Sequence, residues 1–180
     1  MTPRLFHFSD DPAIRRFEPR PVTVPAERPG GRDWLNGPLV WAIEDGWQAM
    51  YFFPRDCPRI LLRRLPTTTA EDLDRYWGRR DSGWIAHIEW AWFERFRAAR
   101  LTRYELPVEP FESLEDAGMW VSREAVEPLA VEPLDDLAAA MAAHDVELRL
   151  MPSLVPLKGV WDTSLHASGI RLRNAAGWAD

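Results

Sequence analysis

Two polar residues set two apart in an apolar run, His7 and Ser9 in Leu5-Phe6-His7-Phe8-Ser9, are the first candidates for chemistry. Strand side chains alternate faces, so Phe6 and Phe8 can enter a core while Leu5, His7 and Ser9 share the opposite face. A framework strand is where a site residue can be held, and a hydrogen-bonded structural histidine is the competing reading. Further on, Pro54-Arg55-Asp56-Cys57-Pro58-Arg59 gathers two guanidinium groups around a thiol. Cations favour the thiolate and would activate Cys57, but no His follows at a nucleophile-base spacing, which favours a buried free cysteine. Arg55 and Arg59 suit the phosphates of a nucleotide, or else brace the turn through Asp56 and backbone carbonyls. His87 and Glu89 would share a strand face, as half of a metal-binding pattern whose cysteine half is absent. Four scattered histidines and one cysteine supply no ligand spacing, so no metal is expected. Trp90, Trp92, Phe93, Arg95, Phe96, Arg97 and Arg100 mix rings with cations, as single-stranded nucleic acid would require. Glu89 and Glu94 dilute that patch, and an amphipathic core helix with snorkelling arginines is the stronger reading.

The elements that must position these residues are legible in outline. After the first strand, prolines and glycines from Pro19 to Pro38 break any regular element and predict a long connection. Leu39–Ile43 is a continuous apolar run suited to a strand buried on both faces. A short helix is expected next, with Asp45 as its cap, Gln48 three positions on, and Trp47 and Tyr51 on one face. Ile60–Leu65 reads as a strand, and Thr69 with Asp72 as a capping box ahead of a helix that Gly78 ends. Trp84–Glu89 and Leu101–Leu106 are strands flanking the aromatic helix. Met119–Val121 and Val126–Val131 are shorter strands, Pro133 suits a first helical turn, and Val146–Leu150 and Gly169–Arg173 complete the set. His144 falls near a helix end, His166 in a loop, and the acidic stretch Glu109–Asp116 in a solvated loop. Strands outnumber helices without a strand-helix rhythm, which predicts an α+β fold with a mixed, mostly antiparallel sheet and several short helices.

Composition narrows the classes of function. At 180 residues and 46% hydrophobic, the chain suits a single globular domain spanning 1–180. Ten Trp and eight Phe supply much of the apolar surface for its core. A net charge of −6 gives no general attraction to nucleic acid or anionic membrane, so neither is favoured as a partner. Lone Cys57 excludes an internal disulfide. No signal segment and no run of eighteen apolar residues is present, from which a cytoplasmic protein is expected.

Two segments carry a resemblance to the ADP-ribosyltransferase-like fold, including its poly(ADP-ribose) polymerase branch. The first is LFHFS, with His7 and Ser9 at the positions of that family's first-strand motif. The second is GPLVWAIEDGWQAMYF, residues 37–52, a Gly-led strand with Trp41 at the aromatic position and Tyr51 in the helix that follows. Phe8 stands where the family carries Gly, and Trp41 where it usually carries Tyr. The resemblance implies NAD as substrate, His7 on a ribose hydroxyl, Trp41 or Tyr51 stacked on the nicotinamide, and a late glutamate at the oxocarbenium-like centre. Glu124 in VSREAVEPLAV matches that glutamate, with Glu127 as the second choice. His7, Tyr51 and Glu124 are thus the implied catalytic residues. His7, Ser9, Trp41 and Arg55 are the expected nucleotide contacts. The activity implied is ADP-ribose transfer or NAD hydrolysis, and a non-enzymatic binding domain that meets a protein partner is the alternative. Across its whole length the chain more closely resembles a bacterial family of unknown function with HFS, FPRDCPR, RYELP and WVSRE blocks.

Overall fold

A computed structural model describes residues 2–25, 29–78 and 81–178. The chain is α+β, with short helices and mostly antiparallel sheets, and it forms two compact units. The first comprises the chain up to Gln48 together with Leu101–Leu134, and the second comprises Ala49–Arg100 together with the chain from Asp135 onward. Among the described residues, no helix is long and apolar enough to cross a membrane.

The first unit is a six-stranded sheet of β1 (Leu5–Ser9), β2 (Val40–Glu44), β5 (Leu101–Leu106), β6 (Glu112–Ser113), β7 (Met119–Ser122) and β8 (Ala130–Leu134). Its order is β6-β7-β2-β1-β5-β8, and every neighbouring pair is antiparallel. The β1–β5 register sets Leu5 opposite Leu106, His7 opposite Tyr104 and Ser9 opposite Thr102. These residues share one face, as the alternation predicts. That face is itself core: Leu5, Tyr104 and Leu106 pack with Phe17, Val40, Ala42, Phe111 and Val126. The connection after β1 covers it, because Phe17 exchanges backbone hydrogen bonds with Val126 at 2.7 and 2.9 Å. Tyr104 fastens the same connection, donating its hydroxyl to the Asp11 carbonyl at 2.6 Å and accepting from the Ile14 amide. Phe6, on the other face, is buried beneath the guanidinium groups of Arg4 and Arg103.

The second unit holds β3 (Arg59–Arg63), β4 (Trp84–Glu89), β9 (Val146–Met151) and β10 (His166–Ile170) in the order β10-β3-β4-β9. β4 and β9 run parallel, and the β10–β3 and β3–β4 pairs are antiparallel. Ile60, Leu61 and Leu62 are all fully buried, the outcome expected of an apolar run covered on both faces. One core joins Ile60, Leu62, Trp77 and Ile85 to Leu154, Leu157 and Val160. Helix α1 (Ala70–Asp72) is capped by Thr69, whose hydroxyl accepts from the Asp72 amide as the capping box requires. It widens into an i to i+5 turn over Leu73–Trp77, ended by Gly78 at φ 78°. Helix α2 (Trp90–Ala98) buries Phe96 against Phe53, and α3 (Leu137–Ala143) is capped by Asp136.

Three expectations about elements are corrected. Pro133 lies in β8, not in a helix, because β8 is a sheet edge where a missing N–H costs no ladder bond. The last strand begins at His166, so that histidine is not in a loop, and left-handed Arg171 at φ 57° ends the pairing before Arg173. Part of the acidic stretch pairs as β6 with β7. Residues 26–28 of the long connection lie outside the described residues.

One cation joins several parts of the first unit. Arg103 of β5 donates to Gln48 Oε1 at 2.9 Å and to Glu132 of β8, while lying 4.9 Å from the Phe6 ring centre. Gln48 is buried, so Arg103→Ala leaves its carbonyl oxygen without this donor, at a cost of about 1–3 kcal/mol. Arg103→Lys restores the charge without the planar fork and should recover part of that loss. Urea unfolding measures both, and a loss below about 0.5 kcal/mol for the alanine variant would refute this bridging role.

Candidate functional site

His7 and Trp41 lie on the neighbouring strands β1 and β2 with their side chains on opposite faces of the sheet, and Glu124 follows the end of β7, the other neighbour of β2. The β1 and β2 strands are antiparallel partners, and His7 Nδ1 lies 2.8 Å from the Trp41 carbonyl oxygen. A carbonyl can only accept, so Nδ1 carries the proton and Nε2 is the accepting nitrogen of the neutral ring. The imidazole is half-buried with Phe17 against it, ring centres 4.7 Å apart. Orientation, tautomer and one ring face are therefore set by the protein.

Trp41 is half-buried and pairs with Val121 of β7. Glu124 follows two residues after β7 ends, its main chain held by Ser122, whose hydroxyl accepts from the Glu124 amide at 3.0 Å and donates to its carbonyl at 3.3 Å. The Glu124 residue is exposed. Ser9 is buried, and its hydroxyl accepts from the Asp11 amide at 3.1 Å, closing the turn after β1. Tyr51 ends the 3-10 helix Asp45–Tyr51, and exposed Arg55 stands in the following turn. Both belong to the second unit.

Within the second unit, the cysteine block is structural. Arg59 is buried, donates to the Met50 and Cys57 carbonyls at 3.1 Å each, and lies over the Tyr51 and Phe53 rings at 5.9 and 5.0 Å. Burial lowers its pKa to about 10, which leaves it charged at neutral pH. Cys57 is fully buried, and burial outweighs the nearby Arg59 charge to push the thiol up to about 12. Cys57 is thus a neutral thiol at physiological pH, the inert outcome expected of a buried cysteine.

His87 and Glu89 are buried on β4 and do different work. Glu89 accepts from the Leu154 amide at 3.2 Å and from the Ala176 amide at 3.0 Å, tying two loops to the strand end. His87 Nδ1 donates to the Ile60 carbonyl at 3.3 Å. Burial first, and then the Arg149 charge, lower His87 to about 4, so the ring is neutral at pH 7. Phe17, Tyr104 and Arg149 escape the residue-level reading. Phe17 sits in an irregular connection with no period to expose it, whereas Glu147 and Arg149, two apart on β9, were a readable same-face pair.

The fold and these sites define an α+β protein with a polar cluster on its six-stranded sheet and several buried ionisable groups in its other unit. Residues 6–175 match the model of the Family of unknown function (DUF6886), and the chain belongs to that family. No curated protein and no solved structure matches the chain.

Two solution measurements test these assignments. Neutral His87 binds its proton more weakly in the folded chain than in the unfolded one, so stability is full above pH 6.5 and falls toward pH 4. The loss is about 3 kcal/mol across that window, and His87→Gln should flatten this part of the urea-unfolding pH profile. An unchanged profile would show that His87 does not titrate as described. A disulfide reagent at pH 8 should modify Cys57 only at the rate of unfolding, and reaction of the native protein within seconds would contradict its burial.

Proposed function

We propose that the first unit is an ADP-ribosyltransferase-like module that binds NAD or a related nucleotide at His7, Ser9 and Glu124. The observation that carries this reading is the adjacency of β1, β2 and β7, with His7 bonded at 2.8 Å to the Trp41 main chain. Segments separated by more than a hundred residues in the chain, each resembling one of that family's motifs, are thereby neighbours in one sheet. His7 Nε2 accepts from a ribose hydroxyl and Glu124 supplies negative charge, while residue 41 contributes through its carbonyl, its indole packing on the opposite face of the sheet. In NAD hydrolysis the bond from C1′ to the nicotinamide nitrogen breaks, and its electron pair leaves with nicotinamide. Water adds to C1′ and loses a proton. In transfer, an acceptor nucleophile replaces the water.

The exposure of Glu124 favours a second reading, binding without turnover, since charge stabilisation is strongest where water is excluded. Calorimetry and thermal unfolding with NAD and ADP-ribose test the binding. Saturation at a hundred times Kd should add about 2.7 kcal/mol of stability. His7→Phe keeps a ring against Phe17 but loses the nitrogens, and should weaken binding by about tenfold or more. Released nicotinamide separates the two readings: Glu124→Ala should cut it by about a hundredfold if the residue is catalytic. Binding with no release supports the second reading, and no stabilisation by either ligand overturns both.

A further inference from the structure

A cavity of about 460 Å³ opens in the second unit, with Arg75, Tyr76, His87, Arg149, Met151 and Leu157 among its lining residues. That volume lies within the range of small-molecule sites. Two guanidinium groups, a phenol and an imidazole meet thioether and aliphatic surface there, and no carboxylate is among the described lining residues.

Arg149 is held in place before any ligand arrives. Its Nη1 donates to the Tyr76 carbonyl at 2.9 Å, Nη2 to the Trp77 carbonyl at 2.6 Å, and Nε to Glu147 at 3.0 Å. Three of the five guanidinium N–H groups are used in this way, which leaves two, one on each terminal nitrogen. The carbonyls it takes belong to the widened turn Leu73–Trp77, closed by the Gly78 amide on the Leu73 carbonyl at 2.9 Å. Such turns are rare and recur at functional sites. This one carries Arg75 and Tyr76, with the Arg75 guanidinium 5.0 Å from the Tyr76 ring centre. His87 donates through Nδ1 to Ile60, which makes Nε2 an acceptor. Buried and neutral, it can take a hydrogen bond from a ligand hydroxyl without adding charge.

We propose that this cavity binds a small organic anion, its phosphate or carboxylate head held by Arg75 and Arg149 and its apolar body against Tyr76, Met151 and Leu157. Planar guanidinium groups match the oxygens of either head. Because Arg149 is already ordered, little side-chain entropy is lost when it engages the ligand.

The test uses the full chain with its methionine methyls labelled with carbon-13, titrated with phenyl phosphate, benzoate and, as the neutral control, phenol. The Met151 methyl should move saturably with phenyl phosphate or benzoate at low millimolar concentration, while Met119 of the first unit stays still. The tighter anion identifies the head group. Arg75 is exposed on a helical turn, so Arg75→Glu should leave the other methionine signals in place and weaken anion binding by at least about tenfold. The proposal is overturned if neither anion moves Met151, if phenol moves it equally, or if Arg75→Glu binds as the parent does.

Discussion

The first unit depends on the pairing of β1 with β5, two strands almost a hundred residues apart in sequence. Between them the chain leaves at Gln48 and returns at Leu101. Arg103 secures this long-range closure by joining the exit point at Gln48 to the returning strand, and Gln48 in turn donates to Asp45 at 2.6 Å. The same guanidinium lies over Phe6 of β1 and pairs with Glu132 of β8, so one planar cation on β5 touches two other strands and the exit helix. Closing such a loop carries an entropy cost that grows only slowly with length. A few well-placed non-local bonds can therefore hold it.

In the second unit, three charged side chains take partners from the main chain. Arg59 uses the carbonyls of Met50 and Cys57, Glu89 the amides of Leu154 and Ala176, and Arg149 the carbonyls of Tyr76 and Trp77. An unpaired buried charge costs several kcal/mol, whereas a backbone partner both lowers that cost and fixes the loop that supplies it. The Trp77 indole nitrogen is a contrast, buried with no hydrogen-bond partner among the described residues.

Local signals were legible where they were also sufficient. Strands Trp84–Glu89 and Leu101–Leu106 occupy the segments their apolar patterns predict, and Thr69 caps its helix through chemistry confined to four residues. Pro133 misled because a helix start and a sheet edge tolerate proline for the same reason, the dispensable N–H. Only pairing with β5, some thirty residues back, decides between them. The face bearing His7 was identified correctly as one that Leu5 and Ser9 share, but not its cover. Phe17 reaches it through an irregular segment whose position depends on Val126, far away in sequence. In the same way, the sequence supplies no sign that the chain passes from one unit to the other between Trp41 and Tyr51, because that division is a property of contacts made much later in the chain.

The support for His7 comes from a main-chain atom, and this has consequences for the neighbouring positions 41 and 8. The Trp41 carbonyl would orient the imidazole whatever side chain residue 41 carried, so a change of ring at residue 41 leaves the histidine tautomer undisturbed. Phe8 is half-buried on the face opposite His7, where its bulk adds to the packing of β1 while its main chain keeps the extended geometry of the strand. The hydrogen bond therefore fixes the His7 imidazole to the β2 backbone, while the Trp41 side chain packs with Leu35, Leu39 and Leu114 on the opposite face of the sheet.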